Sequence, residues 1–430
     1  MSALPNIEAK VNEYIDANVE VHKFSGSVLI VQKEKVLVSN GYGMANYELD
    51  VPNTPQTKFR LASITKQFTA MAIMQLQEKG LLNVDDSINK YILDYPETGK
   101  QITIHHLLTH TSGIPNFTSF PDYLETMMIP APLEKIIARF KDKSLEFEPG
   151  EKYNYSNSGY ILLGYIIEKV SEKAYETYLK EKIFQPLGMN NTGYAHHNPI
   201  IKNRASGYSI GNDGLQNADY IDMSIPHAAG ALYSTVEDLY LWDRALYTEK
   251  LLSQTSLVQM FTPFKENYGY GWYITEVFNH KVVGHGGAIN GFVTNIERYV
   301  NDDVCIIVLS NNVLSPVGRM SQDLAAIVFN EQYELPKKRI AIEVDPKIYD
   351  AYVGQYELAP NFILTISKED NRIFAQATGQ PKFEIYPESD TKYFLTVVDA
   401  QITFVKDEKG ELTQLILHQN EQDIPGKKIT

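Results

Sequence analysis

Ser63 stands three residues before Lys66 in the stretch Lys58-Phe-Arg-Leu-Ala-Ser-Ile-Thr-Lys-Gln-Phe-Thr-Ala-Met71. Residues three apart on a helix share a face, with Cβ atoms roughly 5–6 Å apart, so a lysine there can reach the serine hydroxyl. A free serine alcohol is a weak nucleophile, and an adjacent base is what activates it. The spacing therefore points to nucleophilic chemistry at Ser63. It occurs twice more, at Ser87/Lys90 and Ser389/Lys392, but both lie in polar, turn-like stretches. Only Ser63 is followed by an apolar run, Phe68, Met71, Ala72, Ile73, Met74 and Leu76, that closes at Gly80, a residue suited to a helix C-terminus.

Two further motifs follow along the chain. Tyr155-Ser-Asn157 comes after a Pro149-Gly150 turn and immediately before a helical stretch, Gly159 to Val170, with Tyr160, Leu163, Ile167 and Val170 on one stripe. Gly284-His-Gly-Gly-Ala288 is a glycine-rich segment whose backbone can approach a ligand closely and present N–H groups to it.

These residues need elements to hold them. Residues 6 to 22 read as an amphipathic helix, and Phe24 to Val38 as strand, so a hairpin precedes the Ser63 helix. Further helices are expected at Leu133 to Phe140, Val236 to Leu246 and Met320 to Phe329. Strands are expected at Gly269 to Val277, Lys281 to Val283, Gly291 to Tyr299 and Val304 to Leu309. Helices mixed with antiparallel strands in blocks predict an α+β fold. Around residues 334 to 345 the chain becomes charged and loses its helical pattern, which marks a domain boundary. Beyond it short strands alternate with turns, at Phe362 to Ser367, Arg372 to Gln376, Lys392 to Val398, Gln401 to Val405 and Leu412 to His418, as in a small antiparallel sheet or barrel.

Composition narrows the function classes. The 430 residues exceed one small core, and two domains are expected. No run of about 18 apolar residues is present to span a membrane. A net charge of −14 argues against nucleic acid, whose phosphates call for clustered Lys and Arg. Small-molecule or peptide substrates fit better. The single cysteine, Cys305, lies in an apolar strand-like run and excludes an intrachain disulfide. Met1-Ser-Ala-Leu-Pro-Asn-Ile-Glu-Ala-Lys10 lacks the basic start and apolar core of a secretory signal, so a cytoplasmic location is expected if the chain is complete, and an extracytoplasmic one if a leader was trimmed.

Ser63-x-x-Lys66, Tyr155-x-Asn157 and His285-Gly-Gly287, in that order, resemble the penicillin-recognising serine hydrolases: class C β-lactamases, D-alanyl-D-alanine carboxypeptidases, D-aminopeptidases and β-lactamase-like esterases. His106-Leu-Leu-Thr-His-Thr-Ser-Gly-Ile-Pro115, Gln185-Pro-Leu-Gly-Met189 and Ala229-Gly-Ala-Leu-Tyr-Ser-Thr-Val-Glu-Asp238 match as well, and the similarity covers roughly residues 10 to 330. It implies a β-lactamase/transpeptidase-like domain over residues 1–335, an antiparallel sheet flanked by helices with a helical subdomain, followed by a lipocalin-like β domain over 346–430.

It also implies that Ser63 forms an acyl-enzyme, that Tyr155 carries proton traffic, and that the N–H groups of Ser63 and Ala288 make an oxyanion hole. Asn157 would position Lys66 and the substrate amide; His285 and Gly287 would line the substrate site. Two proton schemes stay open. In one, Lys66 draws the Tyr155 pKa from about 10 toward 7, which takes about 4 kcal/mol of phenolate stabilisation. In the other, a neutral Lys66 takes the serine proton and Tyr155 protonates the leaving group.

Where many relatives carry lysine, this chain has His285, largely neutral at pH 7. That weakens recognition of penicillins or a free D-Ala terminus and leaves esters, amides and D-amino-acid peptides. A His285 that titrates against substrate would change activity between pH 5.5 and 7.5. The resemblance implies no metal or organic cofactor.

Other readings are weaker. Gly207-Tyr-Ser209-Ile-Gly211 has the nucleophile-elbow pattern, but a turn at Asn212-Asp-Gly214 follows it where an elbow needs a helix. His105, His106 and His110 have no His-Glu-x-x-His frame, and read as packing and hydrogen-bonding residues. A catalytically silent penicillin- or peptide-binding protein is the non-enzyme alternative; the complete Ser63, Lys66 and Tyr155 set argues against it.

Overall fold

The computed structural model describes residues 7–211, 214–360, 362–396, 400–407, 410–419 and 422–429. The Met1 to Asn6 start, Asn212 and Asp213 of the expected turn, and Val397 and Val398 at the end of an expected strand lie outside them. The chain divides into two compact units. One comprises Met1–Val19, Phe24–Ser209 and Asn217–Glu334; the other comprises Leu335–Thr430 with the short segments Glu20–Lys23 and Ile210–Gln216.

The first unit is built on a six-stranded antiparallel sheet, in the spatial order Tyr273–Val277, His280–Ile289, Phe292–Tyr299, Val304–Ser310, Gly26–Gln32, Lys35–Tyr42. Two adjacent interior strands, Gly26–Gln32 and Val304–Ser310, read Gly-Ser-Val-Leu-Ile-Val-Gln and Val-Cys-Ile-Ile-Val-Leu-Ser, without alternation. Nearly every residue in them is buried, as expected of strands covered on both faces. Helix Val236–Ala245 packs on both of these strands, and helix Val317–Phe329 packs on Val304–Ser310 and Phe292–Tyr299.

Beside the sheet lies a helical layer centred on Thr65–Glu78 and Asn157–Ser171. Every residue from Thr65 to Leu76 is buried, so this helix is the core's axis rather than an amphipathic cover. Gly164 lets the second helix approach closely, since a Cβ there would lie 2.6 Å from the Ala228 Cβ.

The second unit is a closed barrel of eight antiparallel strands in sequential order, from Gly354–Ala359 to Gln422–Lys428, the last pairing back to the first at Tyr356 and Lys428. Closure leaves no free edge. Its interior is filled by Tyr352, Tyr356, Tyr393, Phe404, Ile402 and Leu415, with Tyr352 stacked on Phe404 at 4.0 Å.

The expected elements differ from the observed ones where glycine or proline masks a strand. Lys281 to Val283 is the visible part of a ten-residue strand, His280–Ile289, that carries His285, Gly286 and Gly287 within it. Gln422–Lys428 completes the barrel although it contains Pro425 and Gly426.

Candidate active site

The strand Phe59–Arg60 pairs with Leu232–Ser234 and feeds a 3₁₀ turn, Ala62–Ile64, that runs directly into the Thr65–Glu78 helix. Two bonds fix its entry: the Leu61 N–H donates to Leu232 O at 2.8 Å, and the Thr294 hydroxyl donates to Leu61 O at 2.9 Å. Ala62 takes φ +48°, a left-handed conformation that costs a non-glycine residue of order 1–3 kcal/mol. That strain sits one residue before Ser63 and turns it into the cleft.

Lys66 follows one helical turn later and is fully buried. Its Nζ lies 3.0 Å from Ser63 Oγ, 2.9 Å from Asn157 Oδ1 and 2.9 Å from Ala229 O. Burial drives its pKa well below the usual lysine value. A neutral amine has two N–H groups and one lone pair. Asn157 Oδ1 and Ala229 O only accept, so they take the two N–H groups and leave the lone pair for the Ser63 hydroxyl.

Asn157 is itself held on all sides. It opens the Asn157–Ser171 helix; its backbone N–H donates to Asn116 Oδ1 at 3.0 Å and its Nδ2 to Thr118 Oγ1 at 3.2 Å. Thr118 in turn donates to Asn116 Oδ1 at 3.1 Å. The loop 116–118 thus caps the helix and fixes which amide atom of Asn157 faces Lys66.

Tyr155 presents its ring face to Lys66, with Nζ 4.8 Å from the centroid. Burial raises its pKa above the ordinary phenol range, and a hydrogen-bonding contact with Ser63 only partly opposes this. The hydroxyl is therefore protonated at neutral pH, which disfavours the scheme in which Lys66 lowers it toward 7.

On the facing strand, Gly287 touches the nucleophile's backbone. A Cβ on Gly287 would lie 2.4 Å from Leu61 O and 2.8 Å from Ser63 N, so no other residue fits without displacement. Ala288 follows, lining the cleft with Ser63, Thr118 and Asn157. Phe117, Tyr123, Pro226 and Ile289 form the apolar walls of this opening, and among the described residues no charged side chain lines it.

His285 does not line the cleft: it is 4% exposed. Its Nδ1 bonds Gly286 O, which only accepts, so Nδ1 carries the proton. Nε2 then accepts from the Tyr268 hydroxyl at 3.0 Å. Burial first, then the nearby Lys66, lowers its pKa to about 3. A titration of His285 between pH 5.5 and 7.5 does not follow from this environment.

The remaining candidates fall in structural places. Ser209 lies inside the strand Tyr208–Gly211, one arm of a two-stranded hairpin with Gly214–Asn217, not on a strand-to-helix turn. Ser87 caps a 3₁₀ turn, Lys90 pairs with Asp86, and Ser389 accepts from the Lys392 N–H within a hairpin turn. His105 bonds the Tyr270 hydroxyl and His106 accepts from the Thr103 N–H. Among the described residues no group of three or more His, Cys, Asp or Glu is arranged to hold a metal ion. Sequence reasoning missed Asn116, Thr118, Thr294 and the Ala229 carbonyl. Only the motif around Ala229 carried a signal, and it marked a segment rather than a backbone oxygen.

The fold and this constellation define a β-lactamase-type serine hydrolase. A family model described as Beta-lactamase matches residues 11–328, and one described as Domain of unknown function (DUF3471) matches residues 338–428. The chain belongs to the Beta-lactamase family. It is 31% identical over 415 residues to penicillin-binding protein 4* of Bacillus subtilis (strain 168), covering 90% of this chain and 91% of that protein. The octameric penicillin-binding protein homologue from Pyrococcus abyssi superposes with a TM-score of 0.69 at 28% identity, over 97% of this chain and 99% of that one. D-amino acid amidase from Ochrobactrum anthropi SV3 complexed with D-phenylalanine gives 0.67 at 25% identity, over 75% of this chain and 99% of that one. Among the described residues no helix is long and apolar enough to cross a membrane.

Proposed function

We propose that Ser63 is the nucleophile of an acyl-enzyme hydrolase that acts on amides and peptides of D-amino acids or on β-lactams. The observation that carries this reading is a buried Lys66 with its Nζ 3.0 Å from Ser63 Oγ and its other two partners, Asn157 Oδ1 and Ala229 O, able only to accept. Ser63 Oγ attacks the carbonyl while its proton passes to Lys66, and the oxyanion faces the N–H groups of Ser63 and Ala288. The Tyr155 hydroxyl gives its proton to the leaving nitrogen or oxygen as the C–N or C–O bond breaks. A proton passing from Lys66 to the Tyr155 phenolate restores both groups, and water then releases the acid from Ser63.

The likeness to the D-amino acid amidase supports the D-amino-acid preference, and the likeness to penicillin-binding proteins supports β-lactams as acylating agents. Carboxylester hydrolysis is the second reading, because the same uncharged cleft offers no cation for a substrate carboxylate. The test is a panel of D- and L-phenylalanine amides, a fluorescent penicillin and p-nitrophenyl butyrate, with release and covalent adduct followed for each. Amide turnover favouring the D enantiomer, or a penicillin adduct, supports the first reading. Ester turnover with neither moves the assignment to an esterase, and a protein inert to every probe overturns both.

A further inference from the structure

We propose that His110 is the positioning residue for Tyr155, an inference that rests on the reading of Tyr155 as donor of the leaving-group proton. His110 grips three consecutive residues. Its carbonyl accepts the Asn154 N–H at 2.9 Å, its Nδ1 accepts the Ser156 N–H at 3.1 Å, and its ring lies 4.1 Å from the Tyr155 ring at 31°. A φ of +57° at His110 allows carbonyl and imidazole to face the same segment.

The hydrogen bonds fix the tautomer. Nδ1 accepts, so the proton is on Nε2, which is buried and has no hydrogen-bond partner among the described residues. The rings of Tyr160 at 5.1 Å and Tyr268 at 4.7 Å also pack against it. An orphaned donor disfavours the fold, and phenylalanine would remove it. Phenylalanine would also leave the Ser156 N–H unpaired. Histidine supplies a flat ring against Tyr155 and an acceptor for the next backbone N–H at once. The residue after this clamp, Asn157, is held separately by Asn116 and Thr118, so the grip bears on the acid Tyr155 and leaves the base Lys66 to its own partners.

The structure thus assigns His110 an effect on the step in which Tyr155 protonates the leaving group. The experiment uses the p-nitrophenyl and ethyl esters of whichever acyl group the enzyme turns over best. p-Nitrophenolate leaves without a proton, whereas ethoxide needs one. His110→Asn keeps an acceptor near the Nδ1 position, tolerates positive φ and loses the ring; His110→Phe keeps the ring and loses the acceptor. Both are compared with Tyr155→Phe and with the His110→Asn/Tyr155→Phe double variant, each melting cooperatively.

Both single His110 variants are expected to lose kcat on the ethyl ester by roughly ten- to a hundredfold, with KM unmoved and about threefold or less lost on the p-nitrophenyl ester. The double variant should be no slower than Tyr155→Phe alone. Equal losses on the two esters, or losses that multiply in the double variant, would overturn the assignment. A Tyr155→Phe enzyme indifferent to the leaving group would overturn the reading of Tyr155 itself, and the assignment of His110 with it.

Discussion

Lys66 illustrates how a residue's chemistry is set by what its neighbours can accept. Three partners at 2.9–3.0 Å satisfy either protonation state, and burial shifts the balance toward the neutral one. Arginine cannot give up its proton in a protein. Lys66→Arg is therefore expected to lower hydrolysis by at least about a thousandfold even where the chain still folds; near-normal rates would rule out a neutral base. A base with a depressed pKa is protonated as pH falls through that value, so kcat/KM should fall toward acid along a limb that belongs to Lys66. Because the His285 pKa is already lowered to about 3, His285→Asn should leave the shape of the profile between pH 5.5 and 7.5 unchanged. A limb in that range that His285→Asn removed would contradict the buried, neutral imidazole.

At the scale of elements, the site is a junction of a 3₁₀ turn, a helix N-terminus and a sheet strand. Ser63-x-x-Lys66 and Tyr155-x-Asn157 were legible because side chains carried the pattern and apolar helical runs followed each. The strand bearing His285 was legible only as Lys281 to Val283, since glycines lower strand propensity just where the strand must touch Ser63. Asn116 and Thr118 lie in a loop without periodicity, and the Ala229 oxygen is backbone, so no residue pattern announces them. Gly287→Ala tests the strand's role. Its Cβ would meet Leu61 O at 2.4 Å and Ser63 N at 2.8 Å, displacing the oxyanion donors. We expect kcat to fall by roughly 10²–10³ in the fraction that folds, together with a lower melting temperature from the backbone clash; an unimpaired enzyme would place the oxyanion elsewhere.

At the scale of the molecule, two cores are stabilised separately. His285 in the first is neutral when folded and would titrate near its ordinary value of about 6.5 when unfolded. The unfolded chain then binds more protons between pH 6.5 and about 3, so stability falls with acid across that window, by up to about 1.4 kcal/mol per pH unit from this group. Urea midpoints at pH 7 and 5 should differ less in His285→Asn than in the parent, and an equal difference would refute the sign. In the barrel, Phe404 is 2% exposed and stacks on Tyr352. Phe404→Ala should destabilise that unit by about 3–5 kcal/mol in calorimetry. Strand closure here was legible in outline from alternating short runs, but Gln422–Lys428, with Pro425 and Gly426 inside it, was not.

The central claim is that Ser63 carries the acyl group. Intact-mass spectrometry with peptide mapping, after reaction with a fluorophosphonate probe or a fluorescent penicillin, tests it most directly. One adduct per chain on the peptide containing Ser63, absent in Ser63→Ala and retained in Ser209→Ala, is the predicted result. Labelling that persists in Ser63→Ala, or that maps to Ser209, would contradict the account.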